Sequence, residues 1–198
     1  MRSVAVTNAK GGVGKSTTAV HLAAYLNARG PAILVDGDPN RSVSGWARRG
    51  ALPFRVVDER RAARHARDAE HVVIDTPARP AREDLEALAD GCDLLVLPTT
   101  PDALALDALM AIVEELRAVG AGRFRVLLTV VPPRPSRDGD DARATIAGAG
   151  LPIFAGSVRR AAAFQKAALA GCVVSGVKDP RAAGAWGDYE AIGRELLP

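Results

Sequence analysis

The sequence predicts an α/β fold: a mostly parallel, twisted sheet with helices on both faces. Three observations carry that reading. Short apolar runs alternate with amphipathic stretches along the chain. Several runs are apolar throughout rather than alternating, as strands covered on both faces are. A glycine-rich turn, "AKGGVGKST" (Ala9–Thr17), stands between the first apolar run and the first amphipathic stretch.

The strands read in order as Ser3–Thr7, Ala32–Asp36, Phe54–Val57, His71–Asp75, Asp93–Pro98, Phe124–Val130 and Pro152–Ala155. The first helix, Ser16–Arg29, carries Val20, Ala23 and Ala24 on one side and stops at Gly30-Pro31. Asp102–Val119 spaces Leu109, Ile112, Val113 and Leu116 at close to helical periodicity. Asp140–Ala149, Arg159–Ala170 and Ala182–Leu197 also read as helices. No internal repeat and no linker divides the chain, so residues 1–198 are expected to form a single domain.

The 198 residues are 48% hydrophobic and 25% charged, enough apolar content for a sizeable core. A net charge of +3 permits contact with polyanions without requiring it. No stretch is long and apolar enough to cross a membrane, and "MRSVAVTNAKGG" lacks the form of a signal peptide. Cys92 and Cys172 are far apart and form no C-x-x-C pair, which points to a reducing, cytoplasmic location. His21, His65 and His71 lack metal-ligand spacing. Aromatic residues make up only 4%, too few for base stacking on single strands.

The glycine-rich turn is nearly G-x-x-x-x-G-K-[ST], with Ala9 in place of the opening glycine and an extra lysine, Lys10, beside it. Gly11, Gly12, Val13 and Gly14 would curl backbone N–H groups around phosphates, aided by the dipole of the following helix. Lys15 should bridge the β- and γ-phosphates, Ser16 should bind Mg²⁺, and Thr17 should help hold the α-phosphate region. Two strand ends supply carboxylates: Asp36 and Asp38 in "ILVDGDP", and Asp75 in "VVIDTP". Asp36 and Asp75 are placed to orient the metal's shell, since Mg²⁺ takes few protein ligands and keeps water. Asp38 lies further out, within reach of an attacking water.

With these motifs in view, the chain resembles the ParA/MinD family of deviant Walker A ATPases, P-loop NTPases. "KGGVGKST" resembles that family's P-loop, "LVDGDPNRS" its D-x-D-P-Q motif and "VVIDTPA" its Walker B segment. "LLVLPTTPDALALDAL" and "VRRAAAFQKAALAGCVV" are similar to later family segments. The resemblance implies that Lys10 reaches across an ATP-bound homodimer to the partner's phosphates. A cation supplied in trans can stabilise the charge of phosphoryl transfer. The C-terminal "DYEAIGRELLP" is acidic and lacks the basic amphipathic character of a membrane helix. No room precedes the P-loop for a helix-turn-helix domain.

The implied protein is therefore a small partition ATPase. It would dimerise on ATP with Mg²⁺, bind duplex DNA without sequence preference on the nucleoid, and release it when a ParB-type adaptor stimulates hydrolysis. Arg159, Arg160 and Lys166, expected on one helix, and Lys178 and Arg181 after it, are the DNA candidates. The run "RRAARHAR" (Arg60–Arg67) is either a second contact or a solvated helix face. Pro133 and Arg134 are candidates beside the adenine. Two other readings remain: a metabolic amidoligase or synthetase of related fold, favoured by metabolite-dependent turnover, and a nucleotide switch that hardly hydrolyses.

Overall fold

The structure is a computed structural model and describes residues 2–197. Six strands form one sheet: β1 (Arg2–Asn8), β2 (Ala32–Asp36), β3 (Arg55–Asp58), β4 (His71–Ala78), β5 (Leu94–Thr99) and β6 (Phe124–Leu128). Their spatial order is β3-β2-β4-β1-β5-β6, and every pairing is parallel. The helices are α1 (Lys15–Asn27), α2 (Ser42–Arg49), α3 (Glu59–Ala66), α4 (Arg82–Gly91), α5 (Ala103–Ala118), α6 (Asp138–Gly148), α7 (Ala162–Ala170) and α8 (Ala182–Leu196).

Alternate residues of the strands feed opposite layers. Val4 and Val6 of β1 and Leu34 of β2 pack with α1, α2, α7 and α8. Ala5 of β1 joins Leu95, Leu97 and Val126 under Leu109, Ile112 and Leu116 of α5. Ile33, Val35, Val57 and Val72 are covered by Ala62 and Ala66 of α3. This two-sided burial is why the strand sequences are apolar without alternation. On the first face α8 lies so close to α1 that a Cβ on Gly193 would enter the ring of Tyr25.

The seventh strand, expected at Pro152–Ala155, is absent from the sheet. That segment makes only an isolated bridge, Val126 with Ile153. Pro152 has no N–H to give a ladder, and Glu195 of α8 accepts the N–H groups of Ala155 and Gly156, each at 3.0 Å. Two helices, α2 and α4, were not anticipated. Each buries little, Val43 and Trp46 in α2 and Leu85 in α4, so neither leaves a periodic apolar trace.

Half of the few aromatic side chains converge on His21 of α1. Its ring stacks on Tyr189 with centroids 4.8 Å apart and meets Phe164, Trp46 and Trp186 at 5.3, 5.9 and 6.4 Å. Its Nδ1 pairs with the Thr17 carbonyl at 2.7 Å, and Nε2 accepts the Val174 N–H at 3.0 Å. This requires the neutral ring with the proton on Nδ1. Burial pushes the His21 pKa down to about 4. The unfolded chain therefore binds a proton here, with its pKa near 6.5, before the folded one does. Stability should fall as pH drops from 6.5 to 4, by up to about 1.4 kcal/mol per pH unit from this group. Urea titrations across that range check it: the slope should be smaller in His21→Gln, and an identical slope would refute the assignment.

Candidate nucleotide site

The site is built where the chain reverses direction across the sheet. From β1 the chain leads through α1 to β2 on one side, and from β4 it crosses over to β5 on the other. Such a reversal leaves a crevice beyond the carboxyl ends of the strands. The loop Ala9–Gly14 sits there, between β1 and α1. Gly12 and Gly14 have φ of 79° and 85°, the left-handed region that favours glycine. Thr129, just after β6, donates its hydroxyl to the carbonyl of Val13 at 2.8 Å and so ties the loop to the sheet. Asn8 accepts the Lys10 N–H at 3.1 Å and donates to the Pro98 carbonyl at 2.6 Å. Sequence reading missed both Asn8 and Thr129, because each is a polar residue at the end of an apolar run and nothing local marks its partner.

The two lysines of the loop have separate environments. Lys15 is buried, and its Nζ donates to the Lys10 carbonyl at 3.1 Å. Burial lowers its pKa, while the charges of Asp75 and Asp38 oppose that shift. Lys10 is about 30% exposed at its side chain and pairs with the exposed Asp102 at 2.8 Å. Asp102 also caps α5 by accepting the Ala105 N–H, and Lys10 with the Thr100 hydroxyl holds its carboxyl below the usual range.

The carboxylates meet by strand register. Asp36 of β2 is paired with Asp75 of β4, and Asp75 with Val6 of β1, so both acids stand at one level across adjacent strands. Asp75 does not end its strand as expected. β4 continues to Ala78, and Thr76 donates to the Val6 carbonyl at 3.0 Å. Asp36 has a structural task. Its Oδ2 accepts both the N–H and the hydroxyl of Ser44, satisfying the first turn of α2, where Arg41 gives no side-chain cap. Asp38 is fixed by Asn40, whose backbone N–H and Nδ2 bond its Oδ1 at 2.9 and 3.0 Å.

Among the described residues, three buried carboxylate oxygens lack any hydrogen-bond partner: Oδ1 of Asp36 and both oxygens of Asp75. Such oxygens are rare in a folded protein and suit a hard cation with its water shell. Among the described residues there is no cluster of three or more His, Cys, Asp or Glu able to hold a metal alone. A magnesium ion completed by phosphate oxygens and water fits this sparse set. Ser16, Asp36 and Asp75 are the chain's groups that would hold it.

A cleft of ≈ 680 Å³ adjoins the loop. Gly12, Gly14 and Thr17 form its phosphate end, and Pro133, Phe164 and Gln165 lie along its walls. Pro133 lines the cleft, whereas Arg134 is exposed and does not line it. Val130, on the same wall, has φ 53°, an unfavourable backbone for a β-branched residue. Arg159 and Arg160 also line the cleft. Neither is on a helix, contrary to expectation: α7 begins at Ala162, and Arg159 lies in an extended bridge to Val131. Arg159 is held bidentately by Asp188, with both bonds at 2.7 Å, and Lys166 pairs with Asp179 at 2.6 Å. Lys178 and Arg181 are exposed.

Burial raises the Asp75 pKa to about 7, helped by the nearby charges of Asp36 and Asp38 and opposed by the Ser16 hydroxyl and Lys15. Because the folded pKa lies above the unfolded value, ionisation costs stability as pH rises through 7. In nucleotide-free protein, Asp75→Asn and the parent should be equally stable near pH 4. They should diverge up to pH 7, with the variant ahead by roughly 2–4 kcal/mol. Parallel stability curves from pH 4 to 8 would contradict the buried, unpaired state of this carboxylate.

Comparison with known proteins places these features. Residues 4–172 match the CobQ/CobB/MinD/ParA nucleotide binding domain family. The chain is 39% identical, over 98% of its length and 94% of the relative's, to the maintenance of carboxysome distribution protein A of Gloeobacter kilaueensis. It is 34% identical, over 67% of its length and 66% of the relative's, to the protein ParA of Rhizobium radiobacter. Among solved structures, apo McdA of Cyanothece superposes with a TM-score of 0.77 at 16% identity, covering 100% of both chains. The cobyrinic acid a,c-diamide synthase of Mycobacterium smegmatis superposes with a TM-score of 0.70 at 17% identity, covering 99% of this chain and 93% of that one. At such identities the likeness is one of fold, and the fold is shared by different trades.

Proposed function

This chain belongs to the CobQ/CobB/MinD/ParA nucleotide-binding family and is a ParA-type ATPase that uses ATP and Mg²⁺; from that premise we propose that it positions a cargo by cycling on and off DNA. Bound to ATP it dimerises and holds duplex DNA of any sequence on the nucleoid. A DNA- or cargo-bound adaptor of the ParB type stimulates hydrolysis and returns the free chain to the cytoplasm. The cargo we favour is a large protein assembly. The relative that matches nearly the whole chain is named for carboxysome distribution, whereas the chromosome-partitioning ATPase Soj of Thermus thermophilus aligns over 56% of it.

One observation carries the dimer reading: the division of labour between the two lysines. Lys15 is enclosed within its own loop, while Lys10 stands on the outer lip beside exposed Asp102. A lysine there can leave a solvent-exposed ion pair at small cost, since such pairs contribute about 0–1 kcal/mol. Given to a second subunit's phosphates, it would meet a drier site, where a charge-assisted contact is stronger.

Hydrolysis needs little covalent work from the chain. A water oxygen forms a bond to the γ-phosphorus, the bond from that phosphorus to the β,γ-bridging oxygen breaks, and ADP and inorganic phosphate leave. Mg²⁺ when bound neutralises phosphate charge. Lys15 and the loop N–H groups orient the phosphates, Asp38 orients the water, and Lys10 of the facing subunit balances charge gained at the transferring group.

Asp38→Ala should spare ATP binding and dimerisation but slow steady-state phosphate release at least tenfold, leaving the DNA-retained state populated. Wild-type turnover in that variant would remove Asp38 from the reaction. Lys10→Ala should bind one nucleotide per chain yet fail to dimerise with ATP. Light scattering that shows a normal ATP-dependent dimer would rule out the cross-subunit role.

A further inference from the structure

The structure points to a second surface, the arginine-lined edge made by α2, β3 and α3, which we propose contacts the backbone of duplex DNA. The inference rests on the DNA-binding reading above and adds where the duplex sits. Residues 41–67 carry eight arginines, Arg41, Arg48, Arg49, Arg55, Arg60, Arg61, Arg64 and Arg67, against two acids, Asp58 and Glu59. That segment is six charges positive, while the whole chain is only +3, so the rest of the molecule is net acidic. All eight arginines are exposed. Among the described residues only Arg41 has an ion pair, with Asp58 at 2.7 Å.

The placement suits a curved polyanion. β3 is an edge strand bonded to β2 alone. α2 packs on one face of the sheet beside it and α3 on the other, so the arginines wrap a convex rim. On α3, Arg60 and Arg64 share a face at i, i+4 with Arg61 beside them, and Arg67 caps the helix in helical backbone, i+3 from Arg64. They span about 10 Å at 1.5 Å per residue, close to three base-pair steps of one strand. The C-terminal candidates are poorer in free charge. Asp188 holds Arg159, Asp179 holds Lys166, and Arg160 lines the nucleotide cleft.

Other partners of a basic surface fit less well. A membrane helix would need bulky apolar side chains facing the lipid, but the apolar side of α3 is alanine packed onto Ile33, Val35, Val57 and Val72. A protein partner would need aromatic or aliphatic anchors at the centre of the patch. Among the described residues the exposed large hydrophobics are Leu104 and Leu169; neither is in this segment, and Leu169 borders it on α7, where the Ala168 carbonyl accepts from Arg49.

The test measures retention of a duplex of arbitrary sequence with ATP and Mg²⁺ over a salt series. It compares wild type, the fourfold Arg→Ala variant at 60, 61, 64 and 67, its fourfold Arg→Lys counterpart, and Lys178→Ala/Arg181→Ala. Circular dichroism and ATP affinity should match wild type in the α3 variants, whose arginines touch neither core nor nucleotide. The alanine variant should lose at least tenfold in affinity for every duplex. Its salt slope should fall by about 0.9 per lost phosphate contact, and the lysine variant should keep the slope. A wild-type slope in the alanine variant, with binding lost in Lys178→Ala/Arg181→Ala, overturns this surface and leaves the DNA reading standing. Wild-type protein that retains no duplex even at low salt overturns both. Polyglutamate that displaces the duplex at equal charge overturns it in favour of an acidic protein.

Discussion

The in-register alignment of β2, β4 and β1 is the constraint on which the site depends. It sets Asp36 and Asp75 side by side in a buried place, where burial and the charges of Asp36 and Asp38 raise the Asp75 pKa and Lys15 opposes that rise. Buried carboxylates at such spacing repel each other and are poorly solvated. The fold sustains this cost through Lys15 and through the hydroxyl and N–H of Ser44, which bind only one oxygen of one acid. The remaining oxygens are unsatisfied, and a magnesium nucleotide is the ligand proposed to relieve them. Stability and function are opposed at this point, as is common where a site is kept poised for a charged ligand.

His21 joins the first turn of α1 to the segment that follows α7. The ring accepts the Val174 N–H on one edge and bonds the Thr17 carbonyl on the other. Thr17 and Tyr189 both line the cleft, and Tyr189 stacks on the same imidazole. A change in the first turn of α1 is thereby in direct contact with the segment leading to Lys178 and Arg181.

Charge is unevenly used across the chain. Near the cleft, Arg159 is matched with Asp188 of α8 and Lys166 of α7 with Asp179, which makes those two contacts part of the architecture. Along β3 and its two flanking helices the arginines are exposed, and among the described residues only Arg41 has an acid partner. Solvated charge costs the fold nothing and remains available to a partner, whereas a bidentate pair such as Arg159 with Asp188 must be broken before it can serve one.

The sequence by itself determined the phosphate loop, the alternation of strand and helix, and the candidate carboxylates, because those signals are local. A P-loop is one contiguous turn between a strand and a helix, and Gly12, Gly14, Lys15 and Ser16 announce it without reference to anything distant. Tertiary structure decided the rest, because it depends on residues far apart in the chain. Glu195 captures the N–H groups of Ala155 and Gly156 and so denies the sheet a seventh strand. Asp188, 29 residues beyond Arg159, grips that guanidinium bidentately at the wall of the cleft. Lys10 finds Asp102 across 92 residues, and Thr129 reaches back 116 residues to pin Val13. Pairings of this kind leave no periodic or compositional trace, since each partner taken alone is an ordinary polar residue at the end of a strand or helix.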